Sequence, residues 1–203
     1  MPTVDLAFAV LATEPIPADH GYHLYGALSR VLPQLHQSNG IAVHPILGQQ
    51  IGNRQLQLTD RSRLVLRADV DQIGQLIALA GKQLDIAGHR VRIGVPQVWT
   101  LRAAPAVRSR LVTIKGFLDL DPFLVAARRQ LDELGVSPEA QLRLGKRRTL
   151  RIREKEVVGY EVRVEGLTAD ESLTLQERGL GGRRHMGCGV FVAIAKETHH
   201  GCG

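Results

Sequence analysis

The sequence predicts an α+β protein built of two tandem βαββαβ units, the ferredoxin-like or RRM-like arrangement, and three observations carry that expectation. Short β-rich apolar runs alternate with helical stripes. The order strand, helix, strand, strand, helix, strand is complete by residue 101 and then begins again. Between the two copies stand Ala103, Ala104, Pro105 and Ala106, the most linker-like stretch of the chain. The expected division is 1–102 for the first domain, 107–196 for the second and 197–203 for a tail. With 203 residues, 44% of them hydrophobic, the chain can bury one large core or two small ones. No residue-level repeat accompanies the repeated order, so the duplication is one of topology.

In the first unit, residues 4–11 form an apolar strand, broken by Pro15 and Pro17 before Asp19, a good helix N-cap. Leu24, Ala27, Leu28, Val31, Leu32 and Leu35 recur at three- and four-residue steps, predicting an amphipathic helix that stops near Asn39 and Gly40. Residues 41–46 resume strand character, 48–60 are polar and turn-rich, and 63–67 alternate as a further strand. A helix is expected over 70–80, on Ile73, Leu76, Ile77 and Leu79, followed by extended chain over 84–101 with a turn at 87–90. In the second unit, 111–114 read as a strand and 122–134 as a helix with Phe123, Leu124, Ala127 and Leu131 on one face. Strands fill 142–166, with a charged turn at Glu154. Thr168 and Glu171 then form a capping-box signature for a helix reaching Arg178, and 190–194 close the unit as its last strand.

The charge balance is 26 Lys and Arg against 20 Asp and Glu, a net +6, which makes nucleic acid the leading partner class. No apolar run approaches the roughly 20 residues of a membrane span, and the first residues lack a basic-then-apolar leader pattern, so a cytoplasmic protein without a membrane partner is expected. Cys188 and Cys202 belong to no Cys-x-x-Cys pair or zinc-spaced Cys/His grid, so neither a metal nor another cofactor is expected. The polar tail with His199, His200 and Cys202 reads as a frayed end.

Residues 179–189 carry Gly179, Gly181, Gly182, Gly187 and Gly189 around Arg183, Arg184 and His185. Glycines allow close backbone approach, and the cations supply charge-assisted donors, so a phosphate is the natural ligand. The order helix, glycines, strand excludes both the nucleotide-triphosphate loop and the dinucleotide fingerprint, which open helices. A phosphodiester backbone fits better. Four Phe, three Tyr and one Trp are too few for ordinary base stacking across a sheet. Binding through phosphates is expected instead, from Arg143, Lys146, Arg147, Arg148, Arg151, Arg153 and Lys155 beside the glycine loop.

Three segments together resemble one family: Asp19 to Arg30, with His20, Tyr22, His23, Tyr25 and Ser29; Gly40 to Ile46, with His44 and Pro45; and the glycine loop ending at Phe191. They are similar to the CRISPR-associated endoribonucleases of the RAMP superfamily, type I variety, which cut precursor CRISPR RNA within its repeats. The resemblance spans nearly the whole chain. It implies two RRM-like domains gripping a repeat stem-loop, and metal-independent attack of a ribose 2′-hydroxyl on the adjacent phosphate. The products would be a 2′,3′-cyclic phosphate and a 5′-hydroxyl, with the mature guide RNA kept and shared with other effector-complex subunits. Histidine suits the proton transfers. His20, expected in the first helical turn, is the first choice as base, with His44 as acid or orienting partner and Tyr25 assisting. Tyr22 and His23 remain candidates, and Ser29 stands about where some relatives carry the catalytic histidine. Gly179, Gly181, Gly182, Arg183, Arg184, His185 and Gly187, with Lys146, Arg147, Arg148 and Arg151, would hold the RNA. The alternative is a non-catalytic CRISPR RNA-binding subunit of an interference or transposon-associated complex.

Overall fold

The computed structural model describes residues 2–36 and 40–194. The strand expected first runs as β1, Thr3–Leu11, and its alternate side chains Leu6, Phe8 and Val10 point into a core. A two-residue strand β2, Ile16–Pro17, precedes helix α1, Gly21–Val31, whose Leu24, Ala27 and Leu28 are buried against the same core. The helix differs from expectation at both ends. His20, not Asp19, is the N-cap residue, and Asp19 turns its carboxylate to the Arg151 amide 3.0 Å away. At the other end α1 stops at Val31 and a 3-10 turn occupies Pro33–His36. Pro33 disfavours helical backbone at Leu32, whose ψ is 79°. Asn39 lies outside the described residues.

After β3, Ala42–Val43, the segment read as a polar loop forms a small sheet with β2, through β4, Gln49–Gln50, and β5, Gln55–Gln57. The unit continues with β6, Arg63–Asp69. The helix expected over 70–80 is broken into two 3-10 turns flanking a single α-helical turn, α2, Ile73–Leu76. Gly74 lowers helix propensity there, and a segment this short gains little from propagation. A hairpin through Ala87 and Gly88, both at positive φ, joins β7, Gln83–Ile86, to β8, His89–Thr100. The five strands order as β3-β6-β1-β8-β7, with every pair antiparallel.

The second unit begins with β9, Ala106–Val112, earlier than the expected strand, and α3, Leu120–Glu133, follows. A long hairpin, β10 (Gln141–Ile152) and β11 (Lys155–Glu165), leads to α4, Ala169–Arg178. Thr168 and Glu171 form the capping box at the start of α4, Thr168 Oγ1 accepting the Glu171 amide and Glu171 Oε2 accepting the Thr168 amide. The closing strand β12 is only Val192–Ala193. Its sheet orders as β10-β11-β9-β12, again antiparallel. With β3, β6, β1 and β8 as its counterparts, the first unit shows the same ferredoxin-like order, so two such domains stand in tandem.

The helices cover one face of each sheet and leave the other bare. On the first sheet, Leu64 and Leu66 of β6 face the core while Arg63, Val65 and Arg67 alternate onto the opposite face. That face looks toward the second domain. Arg67, only 1% exposed, holds Asp5 on β1 with Nε and Nη2 at 2.7 and 2.8 Å. Its Nη1 crosses to the second domain and donates to the Gln176 and Phe191 carbonyls at 2.8 and 2.6 Å. One buried guanidinium therefore pins the two domains together.

Candidate functional site

The glycine loop lies at the junction between the domains. Four of its glycine amides are already committed: Gly179 donates to the Leu175 carbonyl, Gly181 to Gln130 Oε1, Gly182 to the Thr113 carbonyl and Gly187 to the Arg184 carbonyl. Those four N–H groups are spent inside the second domain, so any donors to a phosphate would come from the cations, as expected, and not from these glycine amides. Glycine is needed here for packing. A Cβ on Gly189 would stand 2.0 Å from the Leu180 carbonyl oxygen, and one on Gly181 would stand 2.2 Å from that of Thr113. The far side of the loop meets the first domain. Gly187 packs on Pro45, the Met186 carbonyl abuts Gly21, and the His185 ring tilts against Tyr25 with centroids 4.3 Å apart.

Arg184 is turned inward as well, donating through Nη2 to the Glu177 carbonyl in the last turn of α4, where a cation suits the helix dipole. Burial, with Arg67 and Arg178 nearby, pushes its guanidinium down to about 10. Arg183 takes a left-handed backbone, φ 62°, and its Nη1 lies 3.5 Å from Thr113 Oγ1. Buried Cys188 ends the loop, its thiol pushed up to about 11 by burial.

The candidate histidines separate sharply. His20 is 1% exposed; its Nδ1 donates to the Pro17 carbonyl at 2.8 Å, and its Nε2 accepts the Ile46 amide at 3.0 Å. Those partners fix the Nδ1–H tautomer and occupy both nitrogens, and burial lowers the pKa. His20 thus ties α1 to the chain after β3, and no ring nitrogen is open to a ribose hydroxyl. His44, just after β3, is held by its amide on the Val65 carbonyl, and its Nε2 lies 3.5 Å from Asp5 Oδ1. Burial, aided by Arg67 and Arg184, lowers its pKa against the opposing pull of Asp5. The neutral imidazole is therefore favoured. Burial would raise the Asp5 carboxyl, but the Arg67 hydrogen bonds and His44 outweigh it and hold the group well below the usual carboxylate range.

The other candidates lie elsewhere. Tyr22 accepts a hydrogen bond from Arg153 Nε at 3.1 Å, and exposed His23 touches its ring. Ser29 is buried on α1.

His44 borders a cleft of about 390 Å³ between the bare faces of the two sheets. Arg61, Arg63, Arg108, Arg110 and Arg148 line it, with Glu161 as the carboxylate among them. Arg148 pairs with Glu161 at 3.3 Å. Burial and the Arg148 cation press the Arg110 guanidinium below its ordinary range. A second hollow of about 330 Å³ shares Arg110, Arg148, Pro45 and Gly187 with the first and adds Arg147 and Arg54. Of the expected RNA-binding hairpin residues, Arg147 and Arg148 reach these clefts. Arg151 lies in a separate hollow with Asp19 and Glu154, and Lys146 is exposed on the hairpin. Arg61, Arg63, Arg108 and Arg110 had no motif to mark them, because only the folded chain gathers them. Among the described residues no group of three or more His, Cys, Asp or Glu could hold a metal ion, and no helix is long and apolar enough to cross a membrane.

A family profile described as "Cas6 Crispr" matches residues 4–196. The chain belongs to the Cas6 family. A relative from Myxococcus xanthus (strain DK1622), named CRISPR-associated endonuclease Cas6, is 42% identical over 201 residues, covering 98% of this chain and 86% of the relative. Among solved structures, a Cas6-related protein from Pyrococcus furiosus superposes with a TM-score of 0.69 at 16% identity, covering 96% of this chain and all of the other. A RAMP protein described as binding different RNA substrates gives 0.69 at 15% identity with the same coverage. Thermus thermophilus Cse3, solved with an RNA representing a pre-cleavage complex, gives 0.55 at 14% identity, covering 96% of this chain and all of the other. These likenesses place the Cas6 fold over nearly the whole chain.

Proposed function

We propose that this Cas6-family chain is an endoribonuclease that cuts CRISPR repeat RNA, with His44 taking the proton of the attacking 2′-hydroxyl in the cleft between the domains. The observation that carries the reading is His44 itself: an imidazole favoured in its neutral form, faced by a carboxylate, on the wall of a cleft bearing five arginines. Identity of 42% to a Cas6 endonuclease supports the reaction class. The first-choice base moves from His20 to His44, because His20 has no open nitrogen.

In the proposed reaction the 2′-oxygen forms a bond to the adjacent phosphorus as its proton passes to His44. Asp5 on Nε2 would orient the ring and stabilise the imidazolium. Arg110 and Arg148 would offset the charge gathering on the phosphorane oxygens. The bond from phosphorus to the 5′-oxygen breaks, leaving a 2′,3′-cyclic phosphate, and the departing oxygen takes a proton to become a 5′-hydroxyl. We assign that proton to Tyr25, held against His185 two residues before the Gly187 contact with Pro45. The nucleophile belongs to the substrate, so neither a hydrolytic water nor a metal is part of this sequence of steps.

Incubation of excess protein with its cognate repeat RNA in EDTA tests the reading. Cleavage at one position, with ends that resist phosphatase until the cyclic phosphate is opened, is expected. Tight binding without cleavage would instead mark an RNA-holding subunit, and linear phosphate ends would overturn the transesterification.

A further inference from the structure

The chain has one tryptophan, and it is not buried. Trp99 is 43% exposed near the end of β8. In the β1–β8 register it stands directly opposite Asp5, which places it on the bare face of the first sheet, in the row that includes Asp5 and Arg67. There it borders the same cleft as His44, facing Arg108 and Arg110 of β9 across the domain junction. Val65, Val190 and Val192 give that cleft an apolar floor. An indole beside an apolar floor, with guanidiniums on the opposite wall, matches a ligand that has a flat apolar-faced ring at one end and an anion at the other. Its size is that of a small-ligand pocket rather than a duplex groove. A base inside a helix is already stacked on both sides, whereas an unpaired base offers its whole face to an indole.

We propose that this cleft seats one unpaired nucleotide of the RNA next to the bond that is cut, its base stacked on the Trp99 indole and its phosphate held by Arg108 and Arg110. The inference rests on the reading of this chain as an RNA-cutting enzyme and adds a nucleotide site to it. Its place beside His44 ties the site to the cut: ordering this nucleotide would fix the phosphate that follows it.

A lone tryptophan makes the test direct. Repeat RNA carrying a 2′-deoxy sugar at the cut position binds without being cut, and its addition should quench the intrinsic fluorescence. Quenching should be lost when one nucleotide beside the cut is replaced by an abasic sugar. Trp99→Ala should weaken binding of intact repeat about 5- to 100-fold, the range of a lost base–aromatic stack, and Trp99→Phe should recover most of it. On abasic RNA, wild type and Trp99→Ala should bind alike, because the shared partner is gone. Unchanged fluorescence with bound RNA would overturn the site, using wild-type protein alone. So would equal affinity and cutting by wild type and a Trp99→Ala variant that unfolds at the wild-type temperature. If wild type leaves unmodified repeat uncut, the enzyme reading fails first, and the nucleotide site beside a cut falls with it. Normal cutting with an indifferent indole overturns the site alone.

Discussion

Two histidines that look equivalent as titratable residues have opposite surroundings, and the proposed reaction draws on only one of them. His20→Ala removes two hydrogen bonds and strands the Ile46 amide, and should cost about 2–3 kcal/mol in urea unfolding. His44→Ala should instead lower single-turnover cleavage by about two to four orders of magnitude, with RNA affinity kept within a few-fold in a filter-binding assay. Acid should act on both. Each has a folded pKa below its usual 6.5, so each contributes stability that is full above pH 6.5 and is lost as pH falls through the lower folded value. Asp5 adds a second loss at lower pH, since its depressed carboxyl stabilises the fold fully above 3.8 and fails as pH drops below that. Unfolding free energies at pH 8, 6 and 5 should therefore fall in that order, and His20→Ala should flatten the decline. The cleavage rate should show its acid limb below pH 6.5. Asp5→Asn should move that limb lower still, because Asp5 raises the His44 pKa. The sequence offered His20 and His44 together; nothing in it showed that Pro17 and Ile46 would close on one ring.

At the scale of elements, the glycine loop was legible by place, while its packing role was not. Its glycines, cations and position between a helix and the last strand were visible in the sequence, whereas the acceptors that take its amides, Thr113, Leu175 and Gln130, come from other elements. Gly189→Ala, at φ 67° with its Cβ 2.0 Å from the Leu180 oxygen, should destabilise by roughly 3 kcal/mol or more. Thermal unfolding would measure that loss. Because the same loop carries His185 and Gly187 against Tyr25 and Pro45, cleavage should fall further than stability alone accounts for. The longer amphipathic elements were readable, since α1, α3, α4, β1 and β6 have whole turns or several alternations to display. Strands β2, β4 and β5, of two or three residues, have too few positions for any period to register, and α2 is too short to show one.

For the whole molecule, the cleft that carries the candidate site exists only while the two bare sheet faces look at each other, and Arg67 holds them so. Arg67→Ala would leave the half-buried Asp5 without its guanidinium partner and break the bridge to the Gln176 and Phe191 carbonyls, which should cost about 3–5 kcal/mol in urea unfolding. The basic hairpin could be read from consecutive residues, but the cleft arginines come from segments as distant as Arg61 and Arg148, so no window of sequence contains the site. Their joint action has a measurable signature in salt. If Arg110 meets an RNA phosphate, its replacement by Ala removes one counterion-releasing contact, and the slope of log affinity against log salt should become shallower by about 0.7 for single-stranded RNA. Arg90, exposed on β8 and outside the clefts, supplies the comparison. Arg90→Ala should leave the slope unchanged, and if both variants moved it alike, the RNA would be following the net charge of +6 rather than the cleft.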